Sequence, residues 1–171
     1  PAISRYKKFK IALPGGCSIG TRGIDLHLNA LKLMGVKISI KNGYVIAERK
    51  KNNLNSIDHK FPKISVGATQ NILMAASLAS GKSTLKNCAI EPEVIDLINF
   101  LNKCGALIKV KNRTITVRGV EELKLQDYKV IPDRIEAGSY ILATMATKGR
   151  LKLNNFNPKD LALPLKRYKE M

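Results

Sequence analysis

The 171-residue sequence contains one stretch whose residue types suit chemistry: Leu13-Pro14-Gly15-Gly16-Cys17-Ser18-Ile19-Gly20-Thr21-Arg22. Three glycines surround a single cysteine there. Glycine lets a backbone approach a ligand closely and change shape at little cost. Thiol reactivity needs thiolate character, which nearby cations promote. Arg22 follows within five residues of Cys17, and Lys10 lies upstream. Taken locally, the stretch admits two readings, a reactive Cys17 and a buried structural one. Buried cysteines usually sit in apolar runs, as Cys104 does at a helix end. Cys104, and Cys88 in Lys86-Asn87-Cys88-Ala89, therefore read as packing residues.

Three further stretches could hold a ligand. Gly23-Ile24-Asp25-Leu26-His27-Leu28 opens a helix ending at Gly35, with Ile24, Leu28, Leu31 and Met34 expected on its buried face. Asp25 suits the positive end of the helix dipole. His27 falls off the apolar stripe, where it is either an ordinary side chain or a donor to a ligand. Lys63-Ile64-Ser65-Val66-Gly67-Ala68-Thr69 precedes a helix expected over residues 70–79. Ser65 is a natural N-cap. The same Ser65-Val66-Gly67 run also presents free N–H groups at a positive dipole end, which suits a diphosphate, and Lys63 adds a point charge. Pro132-Asp133-Arg134-Ile135-Glu136-Ala137-Gly138 opens a later helix, with Asp133 and Glu136 suited to capping and Arg134 to a local pair. Ser80-Gly81-Lys82-Ser83-Thr84 imitates the end of a phosphate-binding loop. Residue 76 is Ala where that motif needs Gly, and the stretch follows a helix instead of opening one, so it reads as a helix end and turn.

Composition narrows the classes. Hydrophobic residues make up 44%, enough for a packed interior. Aromatics are 5% with no Trp, so the core must be aliphatic with Met. No apolar run approaches the ~20 residues of a membrane span. Residues 1–10 are basic with no apolar stretch behind them, so no signal peptide is expected. Three cysteines without regular spacing form neither a disulfide framework nor a zinc site. No metal or cofactor is expected, and a reducing cytoplasm is the simplest setting. The formal charge of +17 fits either a nucleic-acid binder or a Lys-rich surface with part of its charge lining a pocket for small anions. The cations are spread along the chain and no nucleic-acid-binding signature appears, which favours the second.

The elements that must position these residues repeat. Residues 31–38 and 101–108 are each a helix end closed by Gly35 or Gly105, 70 residues apart. Each leads into a hairpin, over 37–40 and 44–47 and over 107–110 and 114–117. Asn42-Gly43 is the stronger turn signal and Asn112-Arg113 the weaker. The Ala-rich helix ends at 75–81 and 143–149 match at an offset of 68. Strands are expected after them at 83–85 and 150–153, then Asn87 and Asn155, then helices over 92–103 and 159–171. The unit is strand, helix, strand, helix, strand, strand. The sequence holds the end of one copy, a complete second and the first half of a third, so a truncated chain is expected.

In their order along the chain these motifs resemble the UDP-N-acetylglucosamine 1-carboxyvinyltransferase family of enolpyruvyl transferases. The carriers are the Cys17 loop at 13–22, Asp-Leu-His at 25–27, Ser-Val-Gly-Ala-Thr at 65–69, Glu-Pro-Glu at 91–93 and Pro-Asp-Arg-Ile-Glu-Ala-Gly at 132–138. The resemblance implies an α/β fold, an inverse α/β barrel of six βαβαββ units in two domains, incomplete in this chain. Residues 1–130 would form most of the Cys-loop domain, and 131–171 would start a unit of the second. It implies addition of the 3-hydroxyl of UDP-N-acetylglucosamine to C2 of phosphoenolpyruvate and loss of phosphate, the first committed step of peptidoglycan synthesis. Cys17 matches the Cys that protonates C3 and is alkylated by fosfomycin, and Arg22 matches a loop Arg meeting the anionic ligands. Arg22, Gly23, Ile24, Asp25, Leu26 and His27 fall in the nucleotide segment. Lys63, Ile64, Ser65, Val66 and Gly67 fall on the diphosphate side, and Asp133 and Arg134 at the second-domain contact. The sequence departs at Gly23, where the family has Pro, and lacks the family's N-terminal Lys-Asn pair, an Arg before the Cys loop and the other domain's base and Arg residues. Negligible turnover is therefore expected of these residues alone. The alternatives are a nucleic-acid-binding repeat module and a sister transferase with another acceptor, the latter disfavoured by Cys17. An open sheet edge would invite pairing of two copies.

Overall fold

The computed structural model describes residues 2–15 and 23–170, and in it the repeat in the sequence becomes a repeat of sheet topology. β1 (Lys8–Ala12) pairs antiparallel with β3 (Tyr44–Arg49), and β3 with β2 (Val36–Lys41). β5 (Lys82–Lys86), β7 (Thr114–Arg118) and β6 (Leu107–Lys111) repeat that order and those pairings, while β4 (Asp58–Lys60) joins β5 in parallel. The sheets therefore run β1-β3-β2 and β4-β5-β7-β6. α2 (Asp25–Leu33) leads from β1 to β2 as α4 (Pro92–Lys103) leads from β5 to β6, and α3 (Val66–Ala76) crosses from β4 to β5. A single turn, α1 (Ala2–Arg5), precedes β1.

Local chemistry explains the boundaries. Gly35 and Gly105 both take positive φ, 90° and 101°, where a side chain would be strained. Asn42 and Gly43 are both at positive φ, the pair a tight hairpin turn demands, whereas Asn112 is left-handed and Arg113 is not. The Walker-like stretch, expected as a helix end and turn, is a turn and strand: α3 has already ended at Ala76, Gly81 is left-handed and Lys82 opens β5. Inward-facing Leu85, Ile115, Val117 and Ile108 pack beneath α3 and α4, with Ile72, Leu73, Val94 and Ile98 from those helices in the same buried cluster.

The buried face of α2 is Leu26, Ala30 and Leu31, continuing to Met34, while Ile24 and Leu28 are only part-buried. That corrects the stripe expected from spacing. α2 starts one residue after Ile24, so the helix phase that meets α3 is set by Leu26. α3 begins at Val66, four residues before the expected Gln70, because Ser65 caps it.

The contacts divide the chain into two compact units, Pro1–Tyr128 and Lys129–Met171. In the second, α5 (Arg134–Ala146) is capped by Asp133, whose carboxylate accepts from Ile135 N at 2.7 Å and Glu136 N at 3.2 Å. A 3-10 turn, Pro158–Leu161, leads into α6 (Ala162–Lys169), in place of one continuous helix from residue 159. Asn155 is left-handed at φ 56° as Asn87 is at 57°, which keeps the 68-residue register. At the end of α5, however, Lys148 takes positive φ instead of Gly149. The strand expected at 150–153 is not formed. Among the described residues no strand lies beside it, and an unpaired strand would leave its N–H and C=O groups without partners.

Candidate functional site

Two helix starts stand side by side. Around Ser65 the backbone is extended (φ −146°, ψ 120°), and its Oγ accepts from Ala68 N at 3.3 Å. The first turn of a helix leaves its N–H groups without intrahelical partners. With Ala68 satisfied by the cap, those of Val66 and Gly67 point out of the helix end. Thr69 locks this start in place. Its hydroxyl donates to Ser65 O at 2.7 Å and accepts from Ala89 N at 3.1 Å, tying the first turn of α3 to the segment between β5 and α4. Thr69 is fully buried. Thr69 closes the Ser-Val-Gly-Ala-Thr motif, but the sequence alone assigned it no role.

The start of α2 lies against the start of α3. A methyl group built on Gly67 would stand 3.5 Å from Cε1 and 3.8 Å from Nε2 of His27, so the imidazole rests over the Gly67 backbone. This contact brings the 23–27 and 63–67 stretches to one place, and nothing in their spacing, some forty residues apart, disclosed it. The glycine was the available clue, because glycine is a poor helix residue and its use at a helix start signals close approach. His27 is half-buried. Burial pulls its pKa below the ordinary value, with the Asp25 carboxylate acting the other way, so the ring is neutral at neutral pH and can donate or accept. Asp25 begins α2 with no side-chain cap at Ile24. Its Oδ1 folds back to within 2.9 Å of where a Cβ on Gly23 would be. Gly23 is not at positive φ, so its backbone does not demand glycine, and a side chain there need only displace a rotatable carboxylate.

The remaining candidates divide plainly. Lys63 and Ile64 are exposed beside the Ser65 cap, Val66 is part-buried and Gly67 is open to solvent. Leu26 is buried in the core, so its side chain anchors α2 and only its backbone faces the helix start. Cys17 and Arg22 lie outside the described residues, in the segment joining β1 to α2. Asp133 and Arg134 open α5 in the other compact unit. Cys88 and Cys104 are free and buried; burial pushes the Cys88 thiol up to about 11, only partly offset by hydrogen bonds from the Ile115 backbone and Thr69. The Cys88 thiol is therefore not a nucleophile at neutral pH. Among the described residues no group of three or more His, Cys, Asp or Glu side chains could hold a metal ion, and no helix is long and apolar enough to cross a membrane. The arrangement can bind an anion: paired helix N-termini, outward N–H groups, a neutral imidazole and an exposed Lys.

Comparison with known proteins adds independent information. The sequence profile described as EPSP synthase (3-phosphoshikimate 1-carboxyvinyltransferase) matches residues 1–170. A protein of Pelagibacter ubique named UDP-N-acetylglucosamine 1-carboxyvinyltransferase is 49% identical over 172 aligned residues, covering all of this chain and 41% of that protein. UDP-N-acetylglucosamine 1-carboxyvinyltransferase 1 of Clostridium acetobutylicum is 51% identical with the same coverage. The chain thus spans about two-fifths of the length of these relatives, 41%. Among solved structures, the enolpyruvyl transferase NikO of Streptomyces tendae superposes with a TM-score of 0.69 at 21% identity, over 82% of this chain and 34% of that one. EPSP synthase of Acinetobacter baumannii gives 0.63 at 21% identity, over 82% and 32%. At that identity the structures speak for the fold alone.

Proposed function

Since the chain belongs to the EPSP synthase family and has part of the enolpyruvyl transferase fold, we propose that it serves a UDP-N-acetylglucosamine 1-carboxyvinyltransferase. In this reading the neighbouring helix starts at Asp25–His27 and Ser65–Gly67 hold the UDP-sugar, with the diphosphate at the Val66 and Gly67 N–H groups and Lys63 beside it. The observation that carries the reading is the His27 ring lying on Gly67, because it joins two segments of the motif set into one anion-binding surface.

The chemistry assigned to this chain's residues is limited and specific. The 3-hydroxyl oxygen of the sugar bonds to C2 of phosphoenolpyruvate while the Cys17 thiol gives its proton to C3. The hydroxyl proton passes to a base that this sequence does not supply. The C3 proton then returns to the thiolate, the C2–C3 double bond re-forms and inorganic phosphate leaves from C2. Arg22 offsets the negative charge of the ligands. Charge stabilisation is usually the largest catalytic contribution, and it requires both walls of a cleft. The 171 residues alone are therefore expected to turn over negligibly. The setting of this reading is the cytoplasm, and its self-association is pairing of two copies along an open strand edge, β1, β2, β4 or β6. Sedimentation at raised salt, where Lys repulsion is screened, tests the latter.

The full-length protein should release phosphate only when both substrates are present. Cys17→Ser should lower that rate about 10²- to 10⁴-fold, the usual worth of a placed proton donor, and fosfomycin should label the Cys17 peptide. Undiminished turnover by Cys17→Ser would refute the assignment.

A further inference from the structure

We infer that the outer face of the four-stranded sheet carries a second anion site, for a small phosphate- or carboxylate-bearing molecule with an apolar body. It lies at the opposite end of α3 from the Ser65 cap and is independent of the function proposed above. A cleft of about 550 Å³ opens there, its lining including Lys82, Lys109, Arg118, Thr116, Leu107 and Ala106. That is within the ordinary range for small-ligand sites, roughly 300–1,000 Å³.

The strand register makes this more than a Lys-rich surface. Lys82 of β5 is the direct antiparallel partner of Arg118 of β7, and on the other side Arg118 is opposite Leu107 of β6. Lys109 follows on the same face, opposite Thr116. Like charges directly opposite one another destabilise a sheet. No carboxylate lines the cleft, and none of the three cations belongs to the ion pairs Lys86–Asp58, Lys124–Glu122 or Arg167–Glu170. Elsewhere on this face the protein does compensate, since Asp58 sits 2.9 Å from Lys86. Lys82, Lys109 and Arg118 are the cations that line the cleft, and an anion seated there would neutralise them. Leu107, 54% exposed beside Arg118, supplies an apolar platform.

The cleft is separate from the proposed substrate surface. Lys82 begins β5 just after α3 ends, so the length of α3, about 16 Å for its residues, lies between Lys82 and the Ser65 cap. The C-terminal end of α4 is also here, and its partial negative charge works against an anion. It is a fractional charge facing three full cations. Asn102 is held in place by Ile108, donating to its carbonyl at 3.1 Å and accepting from its N–H at 2.9 Å.

The test is lysine acetylation of the full-length protein, read peptide by peptide, with phenyl phosphate as probe. Modification of Lys82 and Lys109 should fall about tenfold once the probe stands about tenfold above its dissociation constant. Inorganic phosphate, with no apolar body to lay on Leu107, should need at least about tenfold more for the same protection. Arg118→Gln should abolish the protection of both lysines without lowering the folding midpoint, since it removes a repulsion. Lys63 reports separately on the substrate surface, so loss of that site would not be confused with loss of this one. The proposal is overturned if Lys82 and Lys109 are not protected, or if protection survives Arg118→Gln. It is equally overturned if inorganic phosphate matches the probe, or if Lys60, Lys86 and Lys111 are shielded equally, which would mean a diffuse ionic surface suited to a polyanion.

Discussion

At Gly67 a methyl group would meet His27 at 3.5 Å, ordinary van der Waals contact, so the fold has room for alanine. Alanine is also the better helix residue, by up to about 1 kcal/mol. A ligand lying over that backbone would meet the same methyl. Gly67→Ala in the full-length protein should therefore keep or raise stability in a denaturant titration while weakening UDP-sugar binding about tenfold or more by calorimetry. A variant that binds normally would remove Gly67 from the site. The thiols allow a second residue-level prediction. The folded protein holds the Cys88 proton more tightly than the unfolded chain, with the pKa raised from 9.0 to about 11. This contribution to stability is fully present below the unfolded value and is lost as pH rises from there through the folded value. At neutral pH a maleimide should spare Cys88 until denaturant is added, as peptide mapping would reveal, and Cys88→Ser should flatten the decline of stability at alkaline pH.

Between β7 and the segment that follows it, Gly119 illustrates what a sequence hides at the level of elements. Its N–H donates to Gly81 O at 2.9 Å, and Val120 N donates to Ser77 O at 2.9 Å, so the chain leaving β7 is laced to the turn before β5. A Cβ on Gly119 would run into the backbone carbonyl oxygen of Ala79, which cannot rotate away. Gly119→Ala should cost about 2–3 kcal/mol, whereas Gly15→Ala, with nothing within 4 Å, should cost almost nothing; paired thermal melts decide. Nothing in the sequence around Gly119 marks that crossing, because it joins residues forty apart. The hairpins were legible because Asn42-Gly43 and Gly105 encode their own backbone angles. The repeat was legible because it recurs in residue type. β4, only Asp58–Lys60, and the non-strand at 150–153 were not, since both are decided by whether a partner strand is present. The candidate site was legible only as separate motifs; the meeting of two of them at His27 and Gly67 is a tertiary contact between two helices.

For the molecule as a whole, 30 Lys and Arg face 13 Asp and Glu, and the fold does not scatter that excess evenly. In the four-stranded sheet the alternation that buries Ser83, Leu85, Ile108, Ile115 and Val117 drives Lys82, Lys86, Lys109, Lys111 and Arg118 to the opposite, exposed side. Repulsion on an exposed face acts through water and salt. The screening length falls from about 10 Å at 0.1 M to about 3 Å at 1 M. Added sodium chloride should therefore raise the unfolding midpoint, and sucrose, which stabilises without screening, should not reproduce the charge-dependent part. A single substitution isolates that part. Lys82→Gln removes one member of a directly opposed like-charge pair, a repulsion worth about 0.2–1 kcal/mol. It should stabilise the protein by roughly that amount at low salt and by nothing measurable at 1 M. If the gain persisted at high salt, packing and not charge would account for it, and the cations on this face would be an ordinary solvated surface with no repulsion for an anion to relieve.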